Sequence, residues 1–299
     1  MFKLTQTRLV KAADKELAVS GILPRIAKLS GEYHEYLDAP EEYLSQLNSR
    51  EVHADIFTFV QPLSDPVPRY AYPSVNDSVA ALPIDTYDKW WKQQINDKTR
   101  NMVRKAGKKD VSIRVVGFDD KLVEGIAEIY NESPLRQGKR FRHYGKDFGT
   151  LKAAHATYLE RSIFIGAFYA EKLIGFIKMI LLEESASIMQ IISMFAHRDK
   201  APVNALLAKA VEICAERNLR FLQYGIWSRR SMGEFKLRNG FRKFELPRYF
   251  VPLNVRGKFT LNLRMHRSVM DSIPGEVLDL LAGMRARWFS FRFRTPQRS

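Results

Sequence analysis

Three apolar segments follow one another in the middle of the chain: RSIFIGAFYA (161–170), KLIGFIKMILLE (172–183) and ASIMQIISMFAH (186–197). Short turns at EK and EESA separate them, and each has the length and composition of a buried β-strand. Because consecutive strands with short connections pair in opposite directions, the segments predict an antiparallel meander. The fold prediction depends on this meander.

The segments after the meander alternate between helix and strand. The loop RDKAP (198–202) leads into VNALLAKAVEICAERN (203–218), whose apolar residues recur at helical spacing behind a proline. A strand, a short helix that a glycine closes and a further pair of strands complete the pattern: RFLQYGIWS (220–228), SMGEFKLRN (231–239) with Gly240, and FRKFELPRYFVPLN (241–254). The sequence therefore predicts an α/β (α+β) fold with a mixed, mostly antiparallel sheet flanked by helices.

Basic residues concentrate in two segments ahead of the meander. Residues 86–109 show near-helical apolar spacing, and their lysines and arginines predict a helix with one basic flank, for which a solvated face is the alternative. A strand VSIRVVGF (111–118) and a helix DDKLVEGIAEIYNES (119–133) follow. The loop PLRQGKRFRHYGKDFG (134–149) favours anion binding, because so many like charges repel unless something anionic relieves them.

The charge is distributed unevenly among three predicted regions. The chain has a formal net charge of +15, yet residues 1–85 hold 8 Lys or Arg against 12 Asp or Glu. Four prolines between 62 and 73 exclude a long helix there, so we expect residues 1–85 to form an acidic accessory layer. Residues 86–255 are the predicted main domain, and 256–299 a helix, PGEVLDLLAGMRARW, with a basic aromatic tail. A surface this positive attracts polyanions such as a phosphate-bearing cofactor, RNA or anionic lipid.

Several classes of protein and site lack support in the sequence. No stretch has the length of a membrane-spanning helix or the apolar core of a signal peptide, so we expect a cytoplasmic protein without a transmembrane segment. Cys214 is the single cysteine, which excludes disulfides and cysteine-based zinc sites. The histidines show no metal-ligand spacing, and no metal is predicted. Motifs of zinc hydrolases, P-loop proteins, Rossmann proteins and serine hydrolases are absent.

The order of elements resembles the GNAT superfamily of acyltransferases. The meander, the 198–202 loop with its helix, and the corner NGF (239–241) after a short helix carry this resemblance. The basic stretch KTRNMVRKAGKK (98–109) and the strand PRYFVPL (247–253) are also similar to the Fem-type aminoacyltransferases, which duplicate the GNAT fold and add amino acids to peptidoglycan precursors. Other stretches look like bacterial proteins of this superfamily that carry no assigned reaction.

The resemblance implies a donor site at the end of the third strand and the start of the next helix. In the superfamily a backbone amide of that strand polarises a thioester carbonyl, and the following loop and helix hold the carrier's pyrophosphate. By position these roles fall on two sets: Ser193, Met194 and Phe195 for the carbonyl, and His197, Arg198, Lys200 and Asn204 for the pyrophosphate. The implied cofactor is acetyl-CoA or another acyl-CoA, with no metal.

Two departures from the superfamily pattern keep the donor open. The usual loop is rich in glycine so that its amides approach the phosphates, whereas RDKAPVN (198–204) has no glycine and loses an amide at Pro202. Cationic side chains can compensate, so aminoacyl-tRNA or another phosphate-bearing donor stays open beside acyl-CoA. Where the superfamily often has a tyrosine as general acid, this chain has Phe235.

Candidates for the remaining roles come from the basic loop and a later strand. Amine acylation needs a base within hydrogen-bond reach of the nitrogen, and the catalytic candidates are Glu132 and His143. Glu132 is alternatively a solvated helix end, and His143 alternatively part of a polyanion patch. Tyr224 is a third catalytic candidate, for which a place in the core is the alternative. The candidate acceptor-binding residues are Arg136, Tyr144 and Trp227.

Three functions follow as hypotheses. The first is an N-acyltransferase that moves an acyl group from acyl-CoA, acetyl-CoA in the first place, to an amine of a small molecule, glycan, peptide or cell-envelope precursor. The second is a Fem-type transferase that uses aminoacyl-tRNA and binds tRNA through the basic helix and tail. The third is a non-catalytic module that binds RNA or an anionic membrane surface.

Overall fold

The computed structural model describes residues 7–47, 49–136, 138–227 and 230–263. Within these ranges the chain divides into two compact units. The first unit holds residues 7–85, Leu182–Ser187 and 218–263, and the second holds 86–181 and 188–217. The predicted helix PGEVLDLLAGMRARW and the basic aromatic tail lie outside the described residues.

Strands and short helices alternate along the first part of the chain: β1 (Arg8–Ala12), β2 (Lys15–Ser20), β3 (Ile26–Leu29), α1 (Pro40–Gln46), α2 (Ser49–Val52), β4 (Ile56–Val60), β5 (Ser74–Pro83), α3 (Tyr87–Lys89), α4 (Asp97–Lys108), β6 (Ser112–Val116), α5 (Asp120–Asn131), β7 (Leu135–Arg136), β8 (Lys139–Arg140) and α6 (Phe148–His155). The meander and the elements after it are β9 (Ser162–Tyr169), β10 (Lys172–Leu181), β11 (Ser185–Ser193), α7 (Pro202–Glu216), β12 (Phe221–Ile226), α8 (Arg230–Arg238), β13 (Arg242–Pro252) and α9 (Val255–Asn262).

In the first unit β13 lies inside the sheet, between β4 and β5. The strand order is β1-β2-β3-β4-β13-β5-β12, and the first residues of β11 pair in parallel with β12. The sequence predicted a pair of strands around 241–254, and the structure corrects this to a single strand. Pro247 lacks an amide, but its carbonyl accepts a hydrogen bond from the amide of Gln61 (3.0 Å), so β13 continues through it.

Aromatic residues from distant parts of the chain form the core of the first unit. The rings of Phe59 and Tyr249 lie 5.1 Å apart between centroids, and Tyr70 packs edge-on against Tyr249 at 5.2 Å. The Tyr249 hydroxyl donates to the side chain of Gln61 (2.7 Å). Residues 7–85 and β13 therefore share one core.

The second unit carries the meander. Its strand order is β11-β10-β9-β6, and β9 pairs with β10 and with β6 in antiparallel register. Helices α5 and α7 pack on β10, and α4 packs on α7. The predicted class, an α/β fold with a mixed, mostly antiparallel sheet flanked by helices, is confirmed. No helix in the described ranges is long and apolar enough to cross a membrane.

The helix predicted over 86–109 is interrupted in the structure. After α3 the chain forms a π-helix, Trp90–Gln94, and is extended at Ile95 and Asn96 before α4 begins. The Asn96 side chain accepts a hydrogen bond from the amide of Thr99 (2.9 Å) and so caps a new helix. Arg100, expected on the basic flank, turns inward and donates to the carbonyl of Ile95 (2.6 Å).

Candidate functional site

A carboxylate meets two successive backbone amides at the end of β11. Glu132 follows α5, and its side chain accepts hydrogen bonds from the amides of Phe195 (Oε2, 2.6 Å) and Ala196 (Oε1, 2.9 Å). Carboxylates bind strongly to paired amides of this kind, which are the groups that anionic ligands use elsewhere. Glu132, predicted as a base, therefore holds the loop after β11 in this structure.

Arg136 lies beside this carboxylate and is largely buried, with 12% of its side chain exposed. Its guanidinium donates to the carbonyls of Ser193 (2.8 Å) and Ile129 (2.7 Å) and packs on the ring of Phe195 at 4.5 Å. Burial lowers its pKa, and the Glu132 carboxylate opposes that shift. Its Nε is buried without a hydrogen-bond partner in the part of the chain that the structure describes.

Most of the backbone amides that the resemblance assigns to donor binding already donate hydrogen bonds to other groups of the chain. The amide of Met194 donates to the carbonyl of Ile174 (2.8 Å), and the amides of Phe195 and Ala196 donate to Glu132. The amide of Asn204 donates to Ala201 (3.2 Å), and Pro202 has none. Ala201, with φ 53°, occupies the left-handed region just before α7, and its side chain offers α7 no cap.

The predicted cations gather around the same loop, which forms a 3₁₀ helix over Phe195–Lys200. The Arg198 guanidinium is exposed and stacks 3.9 Å from the centroid of Phe195. The Lys200 ammonium lies 4.6 Å from the ring of Tyr169, which also contacts His197. Burial and the nearby Lys200 lower the pKa of His197, and its Nδ1 is buried without a partner in the described chain. Unpaired buried polar atoms of this kind are rare in folded proteins, and a water, an ion or a ligand group can supply the partner.

The basic loop presents a neutral imidazole. His143 packs against Tyr130 and Phe141, with ring centroids 4.9 and 5.3 Å away, and its Nε2 accepts a hydrogen bond from Arg142 (3.0 Å). Burial, with the charge of Arg142, lowers the pKa of His143 to about 4. His143 is therefore uncharged at neutral pH, and Tyr144 next to it is 46% exposed.

Tyr224 and Trp227 belong to the first unit, with a lysine that the sequence prediction missed. Burial raises the pKa of Tyr224 to about 12, and the Lys236 ammonium lies 4.7 Å from its ring. Lys236 is buried and donates to the carbonyl of Ile226 (2.8 Å), and burial lowers its pKa to about 8. Lys236 directly follows Phe235, and no sequence pattern distinguishes it from a surface lysine of α8.

No cluster of His, Cys, Asp and Glu in the described ranges has the arrangement of a metal site.

Comparison with known proteins identifies the fold. No protein-family model matches the chain, and no curated protein matches its sequence. FemX is similar in structure, with a TM-score of 0.56 and 11% identity over 81% of this chain and 88% of that one. L-PGS from Bacillus licheniformis has a TM-score of 0.55 and 11% identity over 89% and 86% of the two chains. The C-terminal domain of a putative lysylphosphatidylglycerol synthetase from Agrobacterium fabrum has a TM-score of 0.51 and 13% identity over 86% of this chain and 88% of that one. Similarity at these identities shows the fold alone, and it confirms the predicted GNAT-like fold of Fem type.

Proposed function

We propose that the protein is an aminoacyltransferase that takes its aminoacyl group from tRNA and passes it to an amine. The choice of donor rests on one observation: the amides of Met194, Phe195 and Ala196 already donate hydrogen bonds, to Ile174 and Glu132. A pyrophosphate needs closely spaced free amides, as in a glycine-rich loop. A tRNA instead presents many phosphates, which separate side-chain cations contact one by one.

Exposed cations of the second unit supply such contacts. Lys98, Arg104 and Lys108 of α4 are exposed, as are Arg140 and Arg142 of the basic loop. The similarity to FemX, and to a relative named for an aminoacylated product, lysylphosphatidylglycerol, supports the same donor. This proposal places tRNA ahead of acyl-CoA, which the resemblance alone ranked first.

The proposed transfer is a simple acyl substitution. The acceptor nitrogen attacks the carbonyl carbon of the aminoacyl ester, a C–N bond forms, and the C–O bond to the ribose breaks. The nitrogen loses a proton and the ribose oxygen leaves as a hydroxyl that gains one. His143 is the proposed proton acceptor, once Arg142 releases its Nε2. Glu132 keeps its hydrogen bonds to the Phe195 and Ala196 amides and positions the loop after β11.

Binding of tRNA at several salt concentrations tests the donor. Lys98→Ala/Lys108→Ala removes two exposed cations of α4, and Lys11→Ala/Lys121→Ala, which removes two exposed cations elsewhere, is the control. We expect the α4 variant to reduce the slope of log affinity against log salt by about 1.8, or 0.9 per phosphate contact, and the control to keep the wild-type slope. Equal slopes in the two variants, or no tRNA binding by the wild type, would remove tRNA as the donor.

Kinetics of aminoacyl transfer test the proton acceptor. We expect His143→Gln to lower kcat by roughly 10²-fold or more, with little change in the affinity for tRNA. A loss of tRNA affinity that accounts for the whole effect would assign His143 to binding instead.

An acyl-CoA donor is the second candidate, and the start of α7 favours it. This helix has no side-chain cap at its amino terminus, and Arg198 and Lys200 lie just before it. A free helix amino terminus with adjacent cations suits a phosphate. If coenzyme A raises the melting temperature of the wild type but not of Arg198→Ala, and tRNA has no effect, acyl-CoA is the donor and an N-acyltransferase on a glycan, peptide or cell-envelope amine is the function.

A further inference from the structure

Helix α9 of the first unit turns an apolar stripe outward. Val255, Phe259 and Leu263 follow one another at four-residue spacing, which places them on one face, and they are 82%, 64% and 54% exposed. Arg256 and Lys258 between them are also exposed. A surface helix normally directs its apolar side chains to the core, so this outward stripe calls for a partner.

The orientation of α9 is fixed by contacts at its start. Asn254 caps the helix by accepting the amide hydrogen bond of Gly257 (2.9 Å), and its side chain donates to the Asp55 carboxylate (3.1 Å). Gly257 lies so close to the Asp55 carbonyl that a Cβ there would be 2.0 Å from it. Leu261 packs inward with Ile56 and other core residues. These contacts therefore hold α9 with the stripe facing away from the core.

A cavity of about 580 Å³ opens beside the start of α9, with Arg25, His53 and Arg256 among its lining residues. Asp55 also lines it, but its carboxylate is buried and is used by the amide of Arg25 (2.8 Å) and by Asn254. The Arg25 and Arg256 side chains are exposed, and neither forms an ion pair within the described ranges. The cavity thus offers two free guanidinium groups to an anion.

The loop that carries Arg25 adds two more exposed apolar side chains. Ile22 and Leu23 precede Arg25 and are 74% and 69% exposed. Because Arg25 lines the same cavity as Val255 and Arg256, this loop and the start of α9 border one cavity. Five exposed apolar side chains therefore accompany a cationic cavity on the first unit.

We propose that α9, the loop at 22–25 and the cavity form a docking surface for an anionic phospholipid bilayer. The guanidinium groups of Arg25 and Arg256 bind headgroup phosphates, and the apolar side chains enter the interface between headgroups and acyl chains. A soluble phosphate would use the cavity but leave the apolar side chains in water.

Vesicle co-sedimentation of the full chain tests the surface. The probes are vesicles of phosphatidylcholine alone and of phosphatidylcholine with phosphatidylglycerol. Val255→Asp/Phe259→Asp replaces two of the three side chains of the stripe. Leu9→Asp/Val115→Asp, which changes two apolar residues of 59% and 55% exposure, is the control with the same charge change. We expect partitioning onto the anionic vesicles to fall at least tenfold in the α9 variant and less than twofold in the control.

The cationic cavity is tested with Arg25→Ala/Arg256→Ala against Lys11→Ala/Lys121→Ala, which removes the same charge. We expect only the arginine variant to lose the preference for anionic vesicles.

Unchanged vesicle binding in either the α9 variant or the arginine variant overturns the proposal. A lower melting temperature of the α9 variant with unchanged vesicle binding shows that the chain itself covers the stripe. Stabilisation of the wild type by glycerol phosphate without vesicle binding assigns the cavity to a small anion instead. The surface does not rest on the proposed transfer reaction, so these outcomes hold whichever donor is correct.

Discussion

Lys178 shows at the scale of one residue how burial changes a charged group. It lies in β10 without exposed surface, and its ammonium group donates to the carbonyls of His155 (2.9 Å) and Thr157 (2.6 Å) and to the Thr157 hydroxyl (3.0 Å). Burial lowers its pKa from 10.5 to about 8. Because the unfolded chain holds this proton more tightly, the contribution of Lys178 to stability rises between pH 8 and 10.5.

Replacing Lys178 by Met is expected to remove that pH dependence. The variant also leaves the carbonyl of His155 without its lysine donor and the carbonyl of Thr157 with only the long bond from the Ser162 hydroxyl (3.5 Å), which costs about 1–3 kcal/mol. Urea unfolding at pH 8 and pH 10.5 measures both effects. The free energy of unfolding of the wild type, relative to the variant, increases with pH, and Lys172→Met on the same strand, 57% exposed, is the control for removal of a lysine. A difference for Lys178→Met that stays flat or falls with pH would contradict the assignment.

Single residues of the candidate site were only partly predictable. The resemblance assigned Phe195 to the site, the need for a base and an acceptor site suggested Glu132 and Arg136, and the structure brings these three into contact. Their arrangement was not predictable, because Glu132 and Phe195 are 63 residues apart and meet only through tertiary packing. Lys178 and Lys236 were missed for the same reason, since the acceptors that hold a buried lysine do not appear in the local pattern.

At the scale of elements, apolar periodicity predicted the strands of the meander and the long helix α7. It failed where a side chain or a neighbouring strand changes the backbone. Asn96 starts a new helix inside a pattern that looks continuous, and Pro247 stays inside a strand because the partner amide of Gln61 meets its carbonyl. The helix α6 and the short strands β7 and β8 in the basic loop carry too little apolar spacing to stand out.

Replacement of two helical glycines by alanine is expected to change the free energy of unfolding in opposite directions. In α5 a Cβ on Gly125 would lie 2.7 Å from the side chain of Leu173, whereas in α4 a Cβ on Gly107 would meet nothing within 4 Å. We expect Gly125→Ala to lower the free energy of unfolding by about 1–3 kcal/mol through overpacking. Gly107→Ala is the control and raises it by about 0.5–1 kcal/mol, because alanine favours the helix. Chemical denaturation measures both changes, and equal signs would show that the α5 contact with β10 yields to the added methyl group.

At the scale of the whole molecule, the division of the chain into units was not predictable from the sequence. The pattern indicated an acidic layer at 1–85 and a main domain at 86–255. In the structure β13, near the end of that range, pairs with β4 and β5, and its Tyr249 ring packs against Phe59 of β4. Pairing between strands so distant in sequence depends on long-range packing, which composition and periodicity do not report.

Removal of residues 1–85 tests how far the rest depends on them. Without β4 and β5 both edges of β13 are left open, and its aromatic residues lose their partners. We expect the chain 86–299 to bind a hydrophobic dye, to associate in size-exclusion chromatography and to lack the cooperative thermal transition of the full chain. A monomeric fragment with a sharp transition would show that residues 86–255 fold independently, as the sequence pattern suggested.

The central place of β13 also bears on protein synthesis. Ribosomes release a chain from its amino terminus, so β4 and β5 emerge long before the strand that fills the gap between them. β13 begins at Arg242, 182 residues after β4 ends at Val60 and 159 residues after β5 ends at Pro83. Until β13 has been made, the nascent chain exposes to other polypeptides the two strand edges that β13 later pairs with, which is the situation that chaperones manage.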